Sequence, residues 1–363
     1  MNSALVLPTT TASGPVRVTS PAPREVWWQL AESDESALVS QTPTWLDCIC
    51  ETGPYADASR LYEFGGGRRL VVPLARRRGV PERLTAEDSW PSDWGIGGPL
   101  VSPGVPDETE AGVVFDDLAR RPALRVGIRF GPDAHQVWTA AAAQRNFRAE
   151  DHMTQVLDLD GGFDAVWERR FRGRARRAVR RAERSPIEVE VDRTGRLVPV
   201  FYHLYEQSIA RWAGQQHEPK ALAHWRQTRK FPRRRLEAVA ELLGESCAIW
   251  VASCAGEPAA AIVVLRHGAH ARCWRGAMDR DLAHPVRANF LLHRLAIEDA
   301  GTAGCRYYHF GESRPGSSLA AFKEGFGADN FSSPDYRRER LPLSAAEHRL
   351  RGTLKCLMRV QDA

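Results

Sequence analysis

Near the C-terminal end, Arg306-Tyr307-Tyr308-His309-Phe310 forms a short aromatic run, Gly311 follows it, and Ser317-Ser318 precedes the stretch from Leu319 to Phe326. Each part dictates local structure. Dense aromatics predict a strand, and a glycine at its end lets the backbone turn. The two serines offer N-cap hydroxyls for a short helix through Phe326. A strand, a tight turn and a capped helix with one lysine, Lys323, can set an ammonium at the mouth of a sheet. Such a charge can hold an oxyanion that develops during acyl transfer. An isolated Phe-Lys pair more often marks a surface lysine on an amphipathic helix, so the rest of the chain has to decide.

The length of 363 residues suits two domains of roughly 150 to 200 residues each. Hydrophobic content of 43% beside 26% charged residues is that of a globular protein with ordinary cores. No apolar run approaches the ~20 residues of a membrane span, and no stable membrane association is expected. Residues 1–23, rich in Thr, Ser, Pro and Ala, read as a flexible tail and not a signal peptide. Seven irregularly placed cysteines point to reduced thiols in the cytoplasm, and neither they nor the eleven histidines offer metal spacing.

Charge is unevenly distributed. Residues 165–184 carry nine arginines against two glutamates, and residues 225–235 carry six cations and no acid. Removing this combined +13 from the net +5 leaves −8 for the remainder. Two concentrated basic patches on an acidic background are the footprint of a polyanionic partner.

Periodicity then places the elements. Residues 24–160 predict helical material through Trp45, a hairpin at 61–74 closed by Gly65-Gly66-Gly67, and helices at 108–120 and 133–144. Strands are expected at 124–130 and 154–159. In the loop 90–99, Trp90 and Trp94 are either core plugs or the wall of a binding cleft. Residues 161–363 open on an arginine-rich helix whose Trp167, Phe171, Ala175, Ala178 and Ala182 share one face. A three-stranded meander over 247–277, a helix at 286–300, the aromatic strand, the lysine helix and a strand near 335–341 follow. Residues 344–360 read as a terminal basic amphipathic helix.

Three ordered segments resemble the Fem-type aminoacyltransferases and the wider set of proteins built on two GNAT-type domains. They are Thr42-Pro43-Thr44-Trp45 with Val71 to Arg77, the run Arg174 to Arg184, and Phe310-Gly311 with Phe322-Lys323-Glu324-Gly325-Phe326-Gly327. The resemblance implies an α+β fold of two tandem GNAT-like domains, each a mixed, largely antiparallel sheet flanked by helices. It also implies aminoacyl transfer from aminoacyl-tRNA, with Lys323 of the Phe322-Lys323 pair in the oxyanion role and no cofactor besides the donor. Glu312, at the strand end, is the candidate for binding an amino group, or else a turn carboxylate paired with Arg314.

The donor can be weighed from the residues. Acyl-CoA enzymes of this fold hold the pyrophosphate on glycine-rich backbone at a helix N-terminus. The equivalent stretch here, His284-Pro285-Val286-Arg287-Ala288-Asn289-Phe290, has no glycine. Arg287 and Asn289 are substrate-binding candidates at that helix start. Separated basic patches suit the phosphates of a tRNA, with Arg177 and Arg180 in the first and Arg226, Arg229 and Lys230 in the second. The expectation is transfer from aminoacyl-tRNA to an amine or hydroxylamine of a small acceptor, in natural-product (antibiotic) biosynthesis. Rival readings are an acyl-CoA-dependent N-acetyltransferase, a peptidoglycan-bridge aminoacyltransferase and a non-catalytic nucleic-acid-binding protein. A bridge enzyme's coiled-coil arm would need a long heptad pattern, which Pro219 and Pro232 interrupt here.

Overall fold

The computed structural model describes residues 3–11, 14–132 and 136–342. The described residues divide into two units, one of those up to Met153 together with Phe331–Pro342, and the other Thr154–Asn330. The terminal helix expected at 344–360 lies outside the described residues. The first unit carries β1 (Ser3–Thr11), β2 (Gly14–Ser20), α1 (Arg24–Ser33), α2 (Pro43–Thr52), β3 (Tyr55–Asp57), β4 (Arg60–Glu63) and β5 (Arg69–Val72). Then come β6 (Ala75–Arg77), β7 (Ala86–Asp88), β8 (Leu100–Ser102), α3 (Glu108–Arg120), β9 (Arg125–Arg129) and α4 (Gln136–Gln144).

The chain passes to the second unit along β10 (Arg148–Asp158), followed by α5 (Gly162–Arg169), α6 (Gly173–Glu183), β11 (Ile187–Asp192), α7 (Val198–Gln215), α8 (Lys220–Lys230) and α9 (Arg233–Leu243). It continues through β12 (Cys247–Cys254), β13 (Glu257–His267), β14 (His270–Met278), α10 (Arg280–Val286), α11 (Ala288–Thr302), β15 (Tyr307–Glu312) and α12 (Ser318–Gly325). It returns to the first unit along β16 (Asp329–Glu339).

In the first unit β1, β2, β4, β5 and β8 form an antiparallel sheet, and β16, β9, β7, β6 and β3 are neighbours in that order. The glycine hairpin is where the sequence places it, with Arg60 opposite Val72 and Glu63 opposite Arg69. Asp107 and Glu110 form a reciprocal capping box at α3. Phe115, Ile128, Phe130, Trp138 and Tyr336 share the core. Residues 14–20 are not tail: β2 pairs with β4, and alternating Val16 and Val18 are buried. Small polar residues dominate the composition there, but the period-2 pattern governs the fold.

The second unit's strands run β11-β12-β13-β14-β15-β10. The meander turns at Ala255-Gly256 and at Gly268, all with positive φ. On α11, Ala288, Leu292, Ala296 and Ala300 recur every fourth residue and are buried with Ile262 and Val264 of β13. The arginine-rich segment is two helices rather than one. The Arg172 backbone N–H donates to Gly325 O at 2.8 Å and starts a new helix at Gly173. The inward face of α6 is Ala175, Val179 and Ala182, while Ala178 lies at its margin.

Candidate active site

Parallel strands β14 and β15 pair only over His270–Arg272 and Tyr307–His309. Beyond that point β14 runs to Met278 and β15 to Glu312 without pairing each other, so the two strands make a fork. The closed end is tied by a contact between His270 Nδ1 and His309 Nε2 at 2.8 Å, and Tyr307 stacks on His270. His309 is packed inside its strand. Burial, His270 and Arg272 hold its imidazole well below the ordinary histidine range, so it stays neutral.

Lys323 stands at the open side of the fork. Ser317 Oγ caps α12 by accepting from the Ala320 N–H, and Gln155 donates to Ala320 O, which seats the helix against the sheet. Gln155 also accepts from Ser313 Oγ at 2.8 Å, so one buried side chain holds both the end of β15 and α12. The two motif glycines explain how close α12 can come. A Cβ on Gly327, which has φ +84°, would lie 2.4 Å from Arg170 O, and one on Gly325 would touch Ala175. The lysine side chain is thereby buried, and its Nζ donates to Gly311 O at 3.0 Å and Glu312 O at 2.7 Å. An ammonium has three N–H groups, so this geometry leaves one to aim at a substrate oxygen. Burial pushes the Lys323 pKa down to about 8.

A second set of polar groups lines the same fork and is not evident in the sequence. The Tyr308 hydroxyl, fully buried, lies 3.2 Å from His293 Nδ1 and also bonds the Cys273 thiol. Burial and the nearby Lys323 charge drive His293 down to about 3, so it is a neutral imidazole at any working pH. Burial pushes the Cys273 thiol up to about 11, which keeps it protonated. The available signal for His293 was a histidine beside Leu291-Leu292 on the buried face of a helix; spacing gave none for Cys273 or Tyr308.

The other expected residues are distributed as follows. Phe322 is half-buried, with its ring 4.8 Å from Phe290 and 5.4 Å from His293, so it walls the lysine's surroundings. Glu312 is exposed at the end of β15, and its backbone carbonyl is one of the lysine's acceptors. Where a glycine-rich loop was sought, α10 occupies the chain and Arg287 joins it to α11 in a left-handed conformation, φ +62°. Arg287 reaches His284 at 3.0 Å, and the Asn289 amide donates to Met278 Sδ at the tip of β14.

Trp90 and Trp94 belong to the first unit, and both are buried there. The Trp90 indole N–H donates to Ser40 O and Ile96 O, and Trp94 packs edge-on against Trp45 at 5.4 Å. Their loop bridges the parallel pair of β7 and β9 through Ser89 N to Gly127 O and Gly97 N to Arg129 O. Both indoles are thus buried in the first unit, which matches the core-plug reading of the two above.

Of the expected polyanion contacts, Arg177 and Arg180 are exposed on α6, and Arg229 and Lys230 are exposed on α8. Arg226 differs. It pairs with the buried Glu218 at 2.7 Å, an acid eight residues away that lies outside the basic run, so its first task is structural.

Residues 169–324, within the second unit, match the family model of an acetyltransferase (GNAT) domain. No curated protein matches the chain by sequence. Among solved structures, FemX is similar at a TM-score of 0.66 and 13% identity, covering 90% of this chain and 98% of FemX. A tandem GNAT protein from the clavulanic acid biosynthesis pathway matches at 0.50 and 12%, covering 94% of this chain and 99% of that one. The C-terminal domain of a putative lysylphosphatidylglycerol synthetase from Agrobacterium fabrum matches at 0.51 and 14%, covering 92% and 96%. These likenesses establish the fold, α+β with GNAT-like sheets flanked by helices.

Proposed function

We propose that the chain is an aminoacyltransferase that moves an aminoacyl group from aminoacyl-tRNA to an amine or hydroxylamine of a small acceptor, at the fork of β14 and β15. The observation that carries this reading is Lys323, buried and held by two backbone carbonyls, which leaves one of the three ammonium N–H groups for a substrate oxygen. The acceptor nitrogen attacks the ester carbonyl, and a C–N bond forms while the carbonyl oxygen becomes an oxyanion. Lys323, whose side chain is buried, neutralises that charge as a fixed donor. The C–O bond to the ribose then breaks, and the leaving oxygen takes the proton lost by the nitrogen. In this reading Glu312, exposed at the end of β15, holds an amino group of donor or acceptor.

Support for the tRNA donor is the glycine-free passage from β14 to α11, filled by α10, together with the exposed arginines of α6 and α8. The longest described helix, α7, has 18 residues, which leaves no bridge-enzyme arm among the described residues and favours a biosynthetic acceptor. No described helix is long and apolar enough to cross a membrane. Acyl-CoA is the competing donor, favoured by the acetyltransferase description of the matching family model. Incubation with charged tRNA of labelled amino acids, or with labelled acetyl-CoA, and a panel of small amines separates them by product mass. Acetylated product with no aminoacylated product overturns the donor assignment.

A further inference from the structure

Trp225, in the middle of α8, is 59% exposed, although most of the chain's tryptophans are buried or half-buried. Its flanking contact is the Arg229 guanidinium, 5.4 Å from the ring centroid and one helical turn on. The surroundings are basic. Lys220, Arg229, Lys230 and Arg234 sit at exposed positions on α8 and the start of α9. The carboxylates that come near are already engaged, Glu218 by Arg226, Glu206 by His224 and Glu237 by Arg233. We infer that Trp225 and Arg229 form a stacking platform for an unpaired RNA base, with the neighbouring cations holding the adjoining phosphates.

The chemistry selects this occupant. A cationic surface draws a polyanion, but phosphates alone have no use for an exposed indole. An unpaired base offers a flat π-face to indole and guanidinium alike, whereas bases inside an RNA duplex are already stacked. The chain's own C-terminal segment is an ill-suited cover, because Arg349, Arg351, Lys355 and Arg359 would repel the patch. The inference rests on the donor reading above, as it places an unpaired part of the tRNA on α8.

The test uses the full chain with two probes, a single-stranded RNA of about 12 nucleotides and heparin, a polyanion without bases. Trp225→Ala should weaken RNA binding roughly 5- to 150-fold, the loss expected of one stacked base. It should leave heparin binding and the salt slope unchanged, and Trp225→Phe should retain most of the RNA affinity. Arg229→Ala with Lys230→Ala should weaken both probes. Equal RNA binding by wild type and Trp225→Ala overturns the platform, and so does an equal loss on both probes. Anionic vesicles or a protein partner that bind through Trp225 while RNA does not would also overturn it. The donor reading fails separately: Trp225-dependent RNA binding without any aminoacyl product keeps the platform and removes the donor assignment.

Discussion

Replacing Lys323 by methionine should separate what the ammonium does for catalysis from what it costs the fold. In the folded chain burial holds the lysine at about 8, against an ordinary value of 10.5. The ammonium still predominates at pH 7, but burying it costs about 3 kcal/mol relative to the unfolded chain. The unfolded chain binds the extra proton between those two values, so wild-type stability should rise with pH across that window, by at most about 1.4 kcal/mol per pH unit. That contribution is fully present above 10.5 and lost as pH falls through about 8. Methionine has a similar length and no charge, so the variant should lose this rise. At pH 7 relief of charge burial offsets the loss of two carbonyl partners, and stability should change by less than the 3 kcal/mol. Turnover should instead fall roughly 10²–10³-fold, as for one lost oxyanion donor. Wild-type activity should decline above pH 8 as the ammonium deprotonates. The assays are product formation by mass and denaturant melts from pH 7 to 10.5. Wild-type turnover in the variant, or an unchanged rise in stability between pH 8 and 10.5, would refute the reasoning.

The remaining predictions concern packing and charge. Gly327→Ala forces a Cβ to 2.4 Å from Arg170 O at positive φ, so thermal melts should register a loss of about 1–3 kcal/mol. Asp117→Ala leaves the buried Arg60 guanidinium without the carboxylate that now takes its two N–H bonds; about 3–5 kcal/mol of stability should go, read by denaturant titration. On the arginine-rich segment the two classes should part: Phe171→Ala should cost about 3–5 kcal/mol. Arg177→Ala with Arg180→Ala should leave the melting temperature in place and flatten the salt dependence of tRNA binding by about 0.7–0.9 per lost phosphate contact. Truncation after residue 160 should give no cooperative unfolding by calorimetry, because β9 loses its partner β16.

The parts of this fold legible in the sequence are those fixed by nearby residues. The aromatic run, Gly311 and the Ser317 cap lie within one short segment, and all three behave as local chemistry dictates. The capping box of α3 and the glycine hairpin are likewise local. The break in the arginine-rich helix is not, because a carbonyl about 150 positions later, on Gly325, takes the Arg172 N–H. Arg226 misleads for the same reason. Its acid, Glu218, lies outside the charged run and is brought close by the turn between α7 and α8. At the site, Lys323 was accessible because it lies in a motif, whereas Cys273, Tyr308 and His293 come from three separate elements. Their link is a buried hydroxyl that only the packing of α11 on β15 creates.

Strands β10 and β16 explain why pattern alone divides the chain elsewhere than its contacts do. Reading each helix-and-strand series to its end assigns the strand after α4 to the first unit and the strand after α12 to the second. The ladder partners are otherwise: residues 154–158 of β10 pair with β15, and residues 335–339 of β16 pair with β9. Both pairings are antiparallel and join segments separated by well over a hundred residues, so no local signal can choose the partner. The consequence reaches the site. Gln155, which holds the end of β15 and α12 together, arrives on a strand that the sequence alone gives to the other unit. The position of Lys323 therefore depends on a residue that precedes the matched GNAT domain, which begins at residue 169. A fragment starting at residue 161 would lack both Gln155 and the strand beside β15. The lysine motif would then be present in sequence, without the neighbours that bury it.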